Sequence, residues 1–205
     1  MQIIKPTKQN ISIVVDVLNR SGIVICPTDT VYGFLALAEN KKAVDKIFKI
    51  KKRLKSKTLP VFINSIKMAK ELAEILVEQE RILKDKWPGK YTFILKLRVP
   101  SLRGAKATKQ SQRLSKLCIG GDGVVALRIP KYKFLNDLLK IIGKPLVQTS
   151  VNISGKPPIN KISEIIEVFG KSKNIDIIID AGILKNPKQS RIIDLTGKKK
   201  KIIRK

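Results

Sequence analysis

Apolar residues recur along the chain with two periods, and the switches between them mark out its elements. Ile11, Val14, Val15 and Leu18 share one helical face, which predicts a helix over Thr7 to Arg20 with Thr7 as cap. Gly22 breaks it, and Gly22 to Pro27 reads as a buried strand. Ala43, Val44, Ile47 and Phe48 predict a second helix over Asn40 to Lys52. A short strand at Leu59 to Ile63 precedes two helical stretches within Ser65–Lys86. The turn Trp87-Pro88-Gly89 leads into a strand over Tyr91 to Leu97. Further strands are expected at Val124–Ile129, Leu146–Ser150 and Ile175–Ile179, with helices at Phe134–Ile142 and Lys161–Phe169. Arg191–Leu195 and Lys201–Arg204 read as a hairpin across Thr196-Gly197. This alternation predicts an α/β (α+β) fold: an open, twisted, mixed sheet with flanking helices. No repeat or linker divides it, so residues 1–205 are expected to form one domain.

Ser101 to Ile119 has no period. It carries Arg103, Lys106, Lys109, Arg113 and Lys116 without an acid, and is expected to be a mobile basic loop. The whole chain has 43 Lys and Arg against 16 Asp and Glu, a net charge of +27. Its 34 lysines far outnumber its 9 arginines, and 31 residues are isoleucine. Such a bias arises from codon drift toward adenine and thymine or from selection for a polyanionic ligand, and composition does not separate the two. There is no histidine, which removes imidazole triads, His–metal sites and His proton shuttles. Cys26 and Cys118 are too few for a Cys-rich metal site or a disulfide framework, so a cytoplasmic setting is expected. No apolar run nears the ~18 residues of a membrane span. Met1 to Asn10 is too polar for a signal peptide.

Two polar clusters follow expected strands: Pro27-Thr28-Asp29-Thr30, and Thr149-Ser150-Val151-Asn152-Ile153-Ser154-Gly155. Open α/β sheets bind ligands at such strand ends. The same residue types also merely close turns. Lys51-Lys52-Arg53, followed by Lys55 and Lys57, ends the second helix. There cations either complement the helix dipole or converge on phosphate. Arg128 lies in an apolar strand, so it is either ion-paired or aimed into a site. Walker A and G-x-G-x-x-G sequences are missing, so a nucleotide site would have to be built from side chains. Asp29, Asp122, Asp180 and Asp194 stand isolated in sequence, which leaves no evident acidic pair. Aromatic residues are 5%, too few for broad RNA-stacking platforms.

Eight segments in order resemble the YrdC-like family of threonylcarbamoyl-AMP synthases. They are residues 22–33 (GIVICPTDTVYG), 51–53 (KKR), 59–63 (LPVFI), 87–92 (WPGKYT), 124–130 (VVALRIP), 145–155 (PLVQTSVNISG), 190–195 (SRIIDL) and 202–204 (IIR). The resemblance implies a YrdC-like fold in the family's short form, without the extra C-terminal domain of the long form. It also implies a nucleotidyltransferase acting on L-threonine, bicarbonate or CO2, and ATP. The product, threonylcarbamoyl-AMP, would pass to a tRNA threonylcarbamoyl-transferase complex that modifies tRNA position 37. Mg²⁺ would be held mainly by the phosphates.

By the same resemblance, Lys51, Arg53, Ser150 and Asn152 match the nucleotide and catalytic centre. Lys57 and Arg204 match further ATP-binding positions, and Thr30, Arg128 and Ser190 match threonine-binding ones. Phe62 stands where long-form members have histidine. Lys90 replaces the usual proline of the Trp-Pro-Gly-Pro turn, and Arg191 a common threonine, both adding charge near the mouth. Retention of both the Lys-x-Arg and Ser-x-Asn pairs argues against a subgroup that lacks them. The competing function is a basic module for double-stranded RNA or tRNA, without synthase activity.

Overall fold

A computed structural model describes residues 1–98, 114–185, 188–197 and 199–205. Its strands are β1 (Gln2–Ile4), β2 (Val24–Cys26), β3 (Gly33–Leu37), β4 (Val61–Phe62), β5 (Tyr91–Lys96) and β6 (Ile119–Gly120). They continue with β7 (Val124–Arg128), β8 (Leu146–Ser150), β9 (Ile177–Ile179), β10 (Arg191–Asp194) and β11 (Lys201–Arg204). The helices are α1 (Ile11–Asn19), α2 (Lys41–Lys51), α3 (Ile66–Leu72), α4 (Val77–Lys86), α5 (Lys133–Ile142) and α6 (Ile162–Phe169). Among the described residues the strands form one mixed sheet, in the order β1-β9-β2-β3-β8-β4-β7-β5-β10-β11, with β6 on β7.

Strand side chains alternate between two cores. Ile23, Ile25, Phe34, Ala36 and Val61 face one core, built with Ala43, Val44, Ile47 and Phe48 of α2, Leu72 of α3, Leu83 of α4 and Ile165 of α6. Val24, Cys26, Leu35, Leu37 and Phe62 face the other, built with Ile11, Val14 and Leu18 of α1 and five residues of α5 including Phe134 and Leu138. Helices therefore cover both sides of the sheet, and its central strands are buried on both faces. That explains one difference from the sequence expectation. β3 was not anticipated, because Gly33-Phe34-Leu35-Ala36-Leu37 is buried throughout and shows no alternation.

β1 was not anticipated either. It has three largely exposed residues and owes its strand state to parallel pairing with β9. At the first helix, a 3-10 turn at Lys8–Asn10 precedes α1, and the Thr7 side chain makes no capping bond. The expected hairpin is present, as the antiparallel pair β10–β11. Of the expected basic loop, residues 101–113 lie outside the described residues. Lys116 falls in a 3-10 turn at Lys116–Cys118.

The two ends of α2 are fixed differently. Asn40 accepts a hydrogen bond from the Ala43 amide at the start. At the other end Lys52 turns left-handed, with φ 51°. The Lys52 amide donates to Lys49 O at 3.1 Å and the Arg53 amide to Phe48 O at 3.0 Å. These two bonds make a Schellman cap, which usually has glycine at the left-handed position. Lys51, on the helical face of Val44, Ile47 and Phe48, points inward and is 2% exposed, and the reversal after it leads Arg53 out along a different wall. Replacing Lys52 by glycine removes the clash of a Cβ in this conformation. Lys52→Gly is expected to raise stability by about 0.5–1 kcal/mol, net of the extra chain entropy. Urea denaturation would read this, and a loss of stability would contradict the strain.

Candidate active site

Gly33 is the geometric hinge of the site. In the ladders it faces Cys26 of β2 on one side and Ser150 of β8 on the other. Both pairings are antiparallel, so β2 and β8 run the same way and end level with each other. The two polar clusters that follow them, 27–30 and 150–155, are thereby brought alongside. A Cβ on Gly33 would stand 3.0 Å from Gln148 Nε2 and 3.4 Å from Thr149 O. Glycine permits this close approach of chain and side-chain amide.

On the β8 side, Lys51 reaches in from the end of α2. Its Nζ donates to Ser150 O at 2.5 Å, Asn152 O at 3.0 Å and Asn152 Oδ1 at 2.7 Å. Ser150 Oγ donates to the same Oδ1 at 2.8 Å. Asn152 Nδ2 in turn donates to the carbonyls of Ile153 and Lys156, which sets the amide's orientation. Arg53 is anchored by Nε to Lys57 O at 2.9 Å and by Nη2 to Thr58 O at 3.1 Å.

On the β2 side, Arg128 crosses from β7 with three anchors. Its Nη2 meets Asp29 Oδ1 at 2.6 Å, its Nη1 donates to Thr30 Oγ1 at 3.1 Å, and its Nε donates to Gly89 O at 2.9 Å. The guanidinium also lies 5.6 Å from the centre of the Phe62 ring. So Phe62 is an apolar wall for the arginine. Arg128 is both ion-paired and in the cleft, and Asp29 is not isolated in space. A third group arrives on the β10–β11 hairpin. Ser190 Oγ shares a hydrogen bond with Thr92 Oγ1 at 2.9 Å and accepts from Arg204 Nη2 at 3.1 Å. Arg204 also donates to Ser190 O and to Gln189 Oε1.

These three groups line one cleft of about 340 Å³. Eight of the nine residues singled out from the sequence are in its wall: Thr30, Lys51, Arg53, Arg128, Ser150, Asn152, Ser190 and Arg204. Lys57 is not; its side chain is exposed, and its carbonyl is what holds Arg53. Sequence reasoning missed Asp29 as partner of Arg128, and also Thr92, Gln189 and the Gly89 carbonyl. Asp29 was in view within Pro-Thr-Asp-Thr, but its partner lies 99 positions away. Lys90 and Arg191 line a neighbouring, wider recess of about 940 Å³.

Among the described residues, those lining the cleft include four cations and no Asp or Glu. With hydroxyls and amides between them, they suit a ligand rich in phosphate and carboxylate oxygens. The profile of the Sua5/YciO/YrdC family, described as "Telomere recombination", matches residues 16–205, and the chain belongs to this family. A threonylcarbamoyl-AMP synthase from Pyrococcus abyssi is 33% identical over 181 residues, covering 87% of this chain and 48% of that protein. A second, from Neisseria gonorrhoeae, is 30% identical over 188 residues, covering 89% of each. The crystal structure of P. abyssi Sua5 complexed with L-threonine matches with a TM-score of 0.85 at 30% identity, over 100% of this chain and 57% of that one. The chain thus spans about half the length of the P. abyssi relative. Its fold is the one seen there, and no helix among the described residues is long and apolar enough to cross a membrane.

Lys51 is a buried cation whose partners are all neutral oxygens. Burial, and then the charge of Arg53, push its pKa down to about 7. The three acceptors oppose this, because an ammonium supplies three N–H donors and a neutral amine two. Between pH about 7 and the ordinary lysine value of 10.5, the unfolded chain binds more protons here than the folded one. Stability from this group therefore rises with pH across that window. Relative to Lys51→Met, the wild type is expected to gain on the order of 1 kcal/mol between pH 7 and 9. Urea denaturation at the two pH values reads the difference, and a pH-independent difference would assign Lys51 an ordinary pKa.

Proposed function

We propose that this protein is a threonylcarbamoyl-AMP synthase, acting as a nucleotidyltransferase on L-threonine, bicarbonate or CO2, and ATP. The observation that carries the proposal is the single cleft with two chemically distinct ends. Lys51, Arg53, Ser150 and Asn152 form one end, suited to a triphosphate. Thr30, Arg128 and Ser190 form the other, suited to a small amino acid with a carboxylate and a hydroxyl. Relatives named for this activity share up to a third of their aligned residues with the chain. The reading takes residues 1–205 as one domain and the setting as cytoplasmic.

The chemistry asks little proton shuttling of the protein. The threonine amine adds to CO2 and loses a proton, giving a carbamate. A carbamate oxygen attacks the α-phosphorus of ATP, the bond to the β-phosphate bridging oxygen breaks, and pyrophosphate leaves. No covalent enzyme intermediate is required. The protein's contribution is to hold the reactants in line and to meet the negative charge that builds up on phosphate. Lys51 and Arg53 are placed for the second task, and Ser150 and Asn152 hold Lys51 in place. Arg204 enters the cleft from the β10–β11 hairpin, held by Ser190 and Gln189, and would meet the nucleotide from that side. Lys57 would act from outside the cleft wall, chiefly through the carbonyl that holds Arg53.

Mg²⁺ would enter on the triphosphate and neutralise part of its charge. The protein offers it few ligands: no three His, Cys, Asp or Glu converge among the described residues. Coordination mainly by phosphate oxygens fits that donor set. The product would be consumed by a tRNA threonylcarbamoyl-transferase complex. The alternative, an RNA-binding module without activity, leans on the basic loop, of which Arg103, Lys106, Lys109 and Arg113 lie outside the described residues. The named relatives and the two-ended cleft favour the synthase.

The purified protein is expected to release pyrophosphate from ATP only when both threonine and bicarbonate are present. Lys51→Ala and Ser150→Ala should each lower that rate on the order of 10²-fold or more, with circular dichroism unchanged. Absence of release, alone and with the downstream enzymes, would refute the proposal.

A further inference from the structure

The cleft has a sorting problem. It must hold two anions side by side, a triphosphate and an amino-acid carboxylate, and its walls are cationic at both ends. Nothing in shape alone stops a phosphate from taking the carboxylate's place on Arg128.

The four cleft cations are not held alike. Lys51 is held by the oxygens of Ser150 and Asn152, Arg53 by two backbone carbonyls, and Arg204 by Ser190 and Gln189. All of these partners are neutral. Only Arg128 is paired with a carboxylate, Asp29, at 2.6 Å, and the two side chains are 2% and 8% exposed. Asp29 is not needed for its own turn. The turn bonds are made by Thr28 Oγ1, which accepts from the amides of Thr30 and Val31 and bonds Val31 O. The second carboxylate oxygen of Asp29, Oδ2, is buried with no hydrogen-bond partner. The acid thus serves the arginine.

We infer that Asp29 is a specificity-determining residue that reserves the Arg128 end of the cleft for a zwitterion. The inference rests on the synthase reading and deepens it. Arg128 spends three of its five N–H donors on the protein, which leaves two for a ligand carboxylate. A ligand arriving there meets a guanidinium whose charge is already balanced. A plain anion gains hydrogen bonds but also feels the repulsion of Asp29 through a poorly screened interior. An α-amino acid brings an ammonium beside its carboxylate, and that positive charge offsets the repulsion. The triphosphate is turned toward Lys51 and Arg53, where neutral oxygens, and among the described residues no carboxylate, hold the cations. Discrimination comes from a built-in repulsive element rather than from an added attraction.

The test measures competition with L-threonine. The probes are inorganic phosphate and the threonine analogue that carries a hydroxyl in place of the α-ammonium. Wild-type protein is expected to bind the analogue about tenfold or more weakly than threonine. In Asp29→Asn, which keeps an oxygen for Arg128 but removes the charge, phosphate should compete with threonine about tenfold more strongly and the analogue gap should narrow. Asp29→Glu keeps the charge and should behave as wild type toward phosphate. Equal phosphate competition in wild type and Asp29→Asn would overturn the inference. So would a wild-type protein that binds analogue and threonine alike, a measurement that needs no variant to fold. Wild-type protein that neither binds threonine nor releases pyrophosphate would sink the synthase reading along with the inference. Normal wild-type activity with unchanged selectivity in the variant would sink the inference alone.

Discussion

The antiparallel pairing of β3 with both β2 and β8 is the constraint on which the site depends. Gly33 lies at the shared end of both ladders, level with Cys26 and Ser150. Everything that lines the cleft from the centre of the sheet is placed by that register. A slip of one residue would turn Phe34 and Ala36 out of one core and Leu35 and Leu37 out of the other, so burial on both faces locks it. The polar turns beyond the strands inherit this rigidity. Flexible loops could not hold a lysine ammonium against three oxygens within 3.0 Å.

A buried cation carries a large desolvation cost, and the protein meets it in two ways. Arg128 has a carboxylate beside it, and its guanidinium remains an arginine with two donors to spare. Lys51 has only neutral carbonyl and amide oxygens as hydrogen-bond partners. That environment leaves the cation undercompensated until an anion arrives. The first arrangement suits a directional hydrogen-bond donor, the second a centre of positive charge open to an anion. The C-terminal cap of α2 links Lys51 to Arg53, since the left-handed turn at Lys52 points the two side chains to different walls of one cleft. The Lys-x-Arg spacing is thus a consequence of cap geometry as much as of ligand chemistry.

Much of this was legible along the chain. Elements with one buried face, such as α5 with Phe134, Leu135, Leu138 and Leu139, announce themselves by period. β3 does not, because a strand buried on both sides has no polar face to alternate with. β1 does not, because its order comes from β9, which is 175 positions distant. The site shows the same division. Thr30, Lys51, Ser150 and Asn152 belong to short motifs whose spacing can be seen. Asp29 stood in plain sight, yet its meaning depends on Arg128, and one sequence carries no sign that the two meet. Lys57 adds a contact that a side-chain pattern does not show, since its backbone carbonyl accepts from Arg53 Nε while its side chain is exposed.

The missing histidine and the excess of lysine bear on the same chemistry from opposite sides. A reaction that moved protons through the enzyme would need a group titrating near neutrality, and imidazole is the ordinary choice. The proposed reaction, carbamate formation followed by attack on phosphorus, would need instead a field that favours negative charge in one place and excludes it from another. A few cations of the +27 total are enough for that, because burial magnifies Lys51 and Arg128, with Arg53 and Arg204 half-buried beside them. The other lysines lie mainly on the surface, where salt screens them and they do not shape the cleft's internal field. Net charge is therefore a poor guide to this protein. What distinguishes the site is the contrast between cations backed by neutral oxygens and the one cation backed by a carboxylate.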